Sequence, residues 1–123
     1  MNIYQGEPLG AVLNVKGDDE QWLPSLEGYS FEAMLLDSLG KVERQWSTDN
    51  GDITIGTEVI EEETRGYASF SLDGTETADL SCGRHTLEVA RVLGNGRAIG
   101  ILSNVICILP SRIKKGVDDE VDN

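Results

Sequence analysis

The stretch Gly28-Tyr29-Ser30-Phe31-Glu32-Ala33-Met34-Leu35-Leu36-Asp37 repeats every second residue: Tyr29, Phe31, Ala33 and Leu35 make one fully apolar face, while Ser30, Glu32, Met34 and Leu36 make the other. Successive side chains of a strand point to opposite faces, so this period belongs to a β-strand and not to a helix. Tyr29, Phe31 and Leu35 are therefore expected in the core. Asp37-Ser38-Leu39-Gly40 reads as a turn and residues 41–46 as the returning strand, with Val42 and Trp46 on one face and Glu43 and Gln45 on the other.

Working outward, Asp49-Asn50-Gly51-Asp52 is the strongest turn signal, because Asn-Gly accepts the positive φ angles of a type I′ loop. Residues 53–55 start the next strand, which stays extended over 57–63, and Arg65-Gly66 is expected to turn the chain again. In residues 67–72, Ala68, Phe70 and Leu72 alternate inward against Ser69 and Ser71. Residues 75–80 hold one helical turn with a threonine cap, ended by Gly83. The last third is a long hairpin: residues 84–93, the Gly94-Asn95-Gly96 turn, then 97–109, whose final part is apolar on both faces, as in strands covered on both sides. Residues 3–5 and 10–15 add two further short segments, and Pro110 ends the last strand.

Fourteen glycines against three prolines in 123 residues cut the chain about every ten positions, and no helix is long enough for a parallel crossover. The expected fold is all-β, an immunoglobulin-like antiparallel β-sandwich of seven to nine strands, with a small barrel as the alternative. The cysteine–tryptophan–cysteine spacing of a true immunoglobulin domain is absent, so the claim concerns architecture alone. One domain is expected over residues 1–115. Residues 116–123 carry four acids and no base and are expected to be a disordered acidic tail.

Ten basic and 22 acidic side chains give a formal charge of −12, which opposes binding to phosphate backbones, so nucleic acid is not an expected partner. No apolar run approaches the roughly 20 residues of a membrane span, and the N-terminus shows no basic region leading into an apolar stretch. The charge is uneven along the chain. Residues 1–83 hold four bases and seventeen acids, a net of −13, while residues 84–115 hold six bases and one acid, a net of +5. If Arg84, Arg91, Arg97, Arg112, Lys114 and Lys115 gather near the last hairpin, copies or neighbouring subunits can dock positive against negative.

His85 is the single histidine, so an imidazole-dependent mechanism has to run through it, and Cys82-Gly83-Arg84-His85 is the place to look. Three positions apart on an extended chain, the thiol and the ring point to opposite faces, and nothing nearby supplies a helix N-terminus to activate the thiol. No enzyme is expected; His85 reads as a strand-edge residue and Cys82 as a small buried one. If Asn95-Gly96 forms a two-residue loop, Cys107 faces Arg84, diagonal to Cys82, which disfavours a disulfide in the absence of a bulge. Asp18-Asp19-Glu20 and the residues around Asn50 lack the spacing of a calcium-binding EF-hand loop, and no zinc, phosphate-loop or dinucleotide motif is present, so no metal or cofactor is expected. Trp22, in a polar segment, and Tyr67, on the outward face of its strand, are the candidates for a surface platform that stacks on sugars.

Lys16-Gly17-Asp18, the Asp37-Ser38-Leu39-Gly40 turn, Thr77-Ala78-Asp79-Leu80-Ser81-Cys82-Gly83-Arg84-His85-Thr86-Leu87-Glu88-Val89, the Gly94-Asn95-Gly96 turn and the apolar strand over 102–108 together resemble the amino-terminal domain of tailed-phage baseplate upper and receptor-binding tail proteins. The similarity spans most of residues 10–112. It departs at His85, where the family usually has an aromatic residue, and near Asn104, where it has a glycine. The resemblance implies an immunoglobulin-like sandwich that packs against other copies of itself and adjacent tail subunits without catalysis, as a virion structural protein of a phage or prophage tail or baseplate. The alternative is a carbohydrate-binding or cell-surface adhesion module on the same fold.

Overall fold

The computed structural model describes residues 1–111. Arg112, Lys114, Lys115 and the acidic segment 116–123 lie outside the described residues. The order of elements is β1 (Asn2–Tyr4), β2 (Leu9–Leu13), β3 (Ser30–Leu36), β4 (Val42–Ser47), β5 (Thr54–Ile60), β6 (Glu63–Leu72), a single helical turn α1 (Gly74–Thr77), β7 (Gly83–Val92) and β8 (Ala98–Leu109). Two sheets form, one in the order β1-β8-β7-β3-β4 and the other β2-β6-β5. The eight strands among the described residues fall within the expected seven to nine. The arrangement is an all-β sandwich of two packed sheets, with the third, seventh and eighth strands together in one sheet and the second, sixth and fifth in the other.

Alternation builds the core as the sequence predicts. Phe31, Ala33 and Leu35 of β3 meet Ala68, Phe70 and Leu72 of β6, and Leu87, Val89, Ile106 and Ile108 extend the layer. Trp46 bridges the sheets: its ring lies 4.8 Å from that of Phe70, and its Nε1 donates to the Ser71 carbonyl at 3.3 Å. Tyr29 is a correction to the expected core. It precedes β3, sits half-buried at the rim beside Phe31, and has the Arg91 guanidinium 4.0 Å above its ring.

Three further expectations are corrected by local backbone geometry. Among the described residues every strand pair is antiparallel except β1 with β8, which run parallel and match Asn2 with Cys107 and Tyr4 with Leu109. Arg65-Gly66 lies inside β6, and the turn before it is made by Glu61 and Glu62, at φ 51° and 67°. Gly66 is needed for close approach instead: a Cβ there would sit 2.7 Å from the Leu26 nitrogen. Asp73, not a threonine, caps α1, accepting from Glu76 N–H at 2.8 Å while the Glu76 carboxylate accepts from Asp73 N–H at 3.0 Å. Thr77 is fully buried and donates to the Glu7 carbonyl at 2.7 Å, pinning the crossing of the chain from β1 into β2.

The β7–β8 hairpin reaches the expected register by a different route. Its turn has three residues, closed by Leu93 N–H on the Arg97 carbonyl, with Gly96 at φ 84°. A bulge at the step from Val89 to Ala90 then shifts the register by one, so that Cys107 faces Arg84. Cys82 and Cys107 are both free, and Cys82 is exposed where a buried side chain was expected.

Candidate functional site

Two features are built with more detail than packing alone requires: a polar clip around His85 and an open flank along β8. His85 is 1% exposed, a correction to its expected place at a strand edge. It alternates inward on β7 with Leu87 and Val89. Its Nε2 lies 2.8 Å from Glu43 Oε1 and 3.4 Å from Ser81 Oγ, and its Nδ1 lies 3.0 Å from the Gly83 carbonyl oxygen. Ser81 Oγ donates to Glu43 Oε2 at 2.7 Å. Glu43 reaches this position because of a bulge. Leu35 pairs with Arg44 and Leu36 with Val42, so Glu43 is the extra residue and its side chain swings inward. The same shift turns Val42 out to 42% exposure, against the expectation that it shares the face of Trp46.

The electrostatics of the clip follow from these contacts. Burial works against ionisation of Glu43, yet the hydrogen bonds from Ser81 and His85 and the charge of the ring outweigh it and hold the carboxyl below its usual range. Asp37, at the adjoining turn, is also lowered, first by the Lys41 N–H it accepts and also by that of Leu39. In a nucleophile–base–acid relay the hydroxyl and the acid engage opposite nitrogens of the imidazole. Here Ser81 and Glu43 share Nε2 while Nδ1 faces a carbonyl, and the serine proton goes to the carboxylate. The arrangement fastens the edge strand β4 to β7 and to the segment after α1.

The open flank runs along β8. β7 pairs with β8 from Ala98 to Ile108, but β1 covers only Cys107 to Leu109, so residues 98–106 form an edge. The final residues 107–109 lie between β1 and β7, as expected of a strand covered on both sides, but that cover stops at Cys107. Ile99 is 46% and Val105 40% exposed, and Val12 of β2, across the seam between the sheets, is 63% exposed. Between them lies a groove of about 450 Å³ lined by Met1, Leu9, Val12, Leu87, Leu102 and Val105 among others. The hydrogen bonds to β1 show which backbone groups face outward: Cys107 N–H donates to the Met1 carbonyl at 2.9 Å and Gln5 N–H to the Leu109 carbonyl at 2.8 Å. Backbone groups alternate along a strand, so the N–H and C=O of Ser103 and Val105 also point to this side, where no described strand lies.

The two flanks of the sandwich differ in charge. The short connections 5–8 and 48–53 keep β1 and β2 on the side of β8, and β4 and β5 on the other. Residues 8–15 and 98–111 contain no charged side chain, whereas the opposite flank carries Glu43, Arg44 and Glu58 and ends in Glu61 and Glu62.

The surface residues expected from the sequence are only partly brought together. Arg91 and Arg97 lie at the turn end of the last hairpin, while Arg84 is exposed at the far end of β7, about seven residues or roughly 23 Å away. Trp22 is half-buried, with Lys16 Nζ 4.8 Å and the Arg65 guanidinium 4.6 Å from its ring centre. Tyr67 lies over Gly56, its cross-strand partner, where a Cβ would come within 2.5 Å of its ring. Neither Glu43 nor Ser81 is visible as a partner of His85 in the sequence, because the bulge that aims Glu43 has no residue signature of its own. The charge-free runs, by contrast, are written in the sequence. No protein-family model matches this chain, and no curated protein matches it either.

Proposed function

We propose that this chain is a non-enzymatic structural subunit that works through protein–protein contacts, as in a phage or prophage tail or baseplate, and that the β8 flank is its docking side. The observation that carries the reading is the open, uncharged edge of residues 98–106 beside the exposed Val12. Natural sheets usually blunt an exposed edge with charges, proline or a covering loop. This edge has one bulge and neither charge nor proline, which suits a strand meant to be covered in an assembly. The resemblance of the turns and of the final hairpin to tail and baseplate domains supports the same reading.

The sugar-platform alternative has less support, because Trp22 is already engaged by two cations and Tyr67 by the strand beside it. Co-expression with the products of neighbouring genes, followed by co-purification, tests the proposal. A stable complex that Val105→Lys disrupts supports it. Binding to a glycan array together with failure to join any neighbouring product contradicts it.

A further inference from the structure

We infer that the clip around His85 is a proton-operated latch: it holds Glu43 while Nε2 of the ring is protonated, and releases it when that proton leaves and the Ser81 hydroxyl turns to the ring. The latch sits on the flank away from β8 and is independent of the assembly reading above.

Counting hydrogens on the ring fixes the closed state. The Gly83 carbonyl can only accept, so Nδ1, 3.0 Å away, carries a hydrogen. Glu43 takes the Ser81 N–H on Oε1 at 3.4 Å and the Ser81 hydroxyl on Oε2 at 2.7 Å. Burial opposes its ionisation, but the hydrogen bonds from Ser81 and His85 outweigh that and keep it a carboxylate, which can only accept. The 2.8 Å contact of Oε1 with Nε2 is then a hydrogen bond only if Nε2 also carries a hydrogen. Both ring nitrogens donate, and the closed clip is an imidazolium paired with a carboxylate.

The same atoms define the open state. Loss of the Nε2 proton sets a lone pair against a carboxylate oxygen at 2.8 Å. Ser81 Oγ lies 3.4 Å from Nε2, and its one hydrogen can serve the ring or Glu43 but not both. Turned to the ring, it satisfies Nε2 and leaves the carboxylate without its hydroxyl donor and without the ring. Glu43 is free to follow, because it is the extra residue of the β3–β4 bulge and has no cross-strand partner among the described residues. Its side chain is already 18% exposed, so water is within reach.

The other charges around the ring do not change between the two states. Asp37 continues the β3–β7 register to the position opposite His85, and it stays bonded to the Leu39 and Lys41 N–H groups, with the Lys41 side chain exposed beside it. The partner from β8 is the apolar Ile106. On β7 itself Arg84 is exposed on the opposite face, and Cys82, before the strand, is also exposed. What distinguishes the states is therefore Glu43. Because β4 is the edge of the larger sheet, the latch sets how firmly that edge is closed. It is shut where the ring is charged and Glu43 ionised, and raising the pH through the titration of the ring opens it.

His85 is the single histidine, so nitrogen-15 NMR reads its ring without ambiguity. The expected result, from about pH 5 to about pH 9, is that Nε2 alone loses its proton while Nδ1 keeps its own. In the same step, amide exchange across β4 should quicken at least tenfold relative to Leu87 and Val89, after correction for the intrinsic effect of pH. Glu43→Gln, which keeps the shape and removes the charge, should move the ring's titration down by about one pH unit or more. Ser81→Ala, which removes the donor that a neutral Nε2 needs, should move it up. A ring that holds one protonation state over the whole range overturns the inference, as does one that loses the Nδ1 proton instead. A ring that titrates with no change in β4 exchange overturns it too, and these wild-type readings decide the matter even if a variant fails to fold.

Discussion

Glu43 Oε1 lies 2.8 Å from Nε2 of the buried His85, although the two residues are 42 positions apart and Glu43 belongs to an edge strand. The pairing exists only because the β3–β4 register slips by one between Leu35 and Leu36. It fastens the edge of the larger sheet to its interior.

Replacing Glu43 with alanine leaves the Nε2 of a fully buried imidazole without its closest acceptor and Ser81 without its own. A buried polar group stripped of its partner costs about 1–3 kcal/mol, so Glu43→Ala should lower stability by that amount in urea unfolding at pH 7. The pH dependence has a definite sign. The Glu43 carboxyl is lowered in the folded state, so its contribution is present above the ordinary glutamate range, near pH 4.3, and is lost as the pH falls through the lower folded value. The gap between wild type and Glu43→Ala should therefore shrink below about pH 4. A gap that stays constant from pH 7 to about pH 3 contradicts the clip.

Glu61 and Glu62 form a two-residue turn with both backbones left-handed, at φ 51° and 67°, a conformation that favours Asn-Gly. Neither is glycine, so both pay a conformational cost. The double substitution Glu61→Asn with Glu62→Gly should raise stability by about 1 kcal/mol in thermal or urea unfolding. No gain would show that the acidic turn is less strained than its angles indicate.

Gly66 is held by proximity and not by its own torsion angles. A Cβ there would lie 2.7 Å from the Leu26 nitrogen and 2.8 Å from the Ser25 carbonyl carbon, both backbone atoms, while Gly66 N–H donates to the Leu23 carbonyl at 2.8 Å. Gly66→Ala should push this segment off β6 and cost about 1–3 kcal/mol. Gly10→Ala, whose new Cβ would meet its nearest neighbour at an ordinary 3.7 Å, is the matched control and should leave stability nearly unchanged. Equal losses in the two variants would contradict the close-approach role.

The core was legible wherever alternation is strict. Phe31, Ala33 and Leu35, and likewise Ala68, Phe70 and Leu72, are buried as their spacing predicts. What the spacing hides is any step that breaks the period of two. The bulge beside Leu36 sends Val42 outward and Glu43 inward; the bulge in β8 compensates a turn one residue longer than expected; and Gly66, which resembles a turn residue, is a contact point within a strand. The parallel placement of β1 was hidden for another reason. It depends on Thr77 and Gln5 bonding the 5–8 crossing to the segment around α1, contacts about 70 positions apart that local pattern does not encode. The uncharged flank was half legible: the charge-free runs are plain in the sequence, but only the sheet order shows that they share a side.

The most direct test is amide hydrogen exchange of Ser103 and Val105, followed by NMR in dilute free chain and in the associated state. The edge account predicts rapid exchange at both amides when the chain is dilute and at least tenfold protection on association, with Leu87 and Val89 in β7 protected throughout. Association with no change at Ser103 and Val105, or firm protection of both in the dilute single chain, would contradict it.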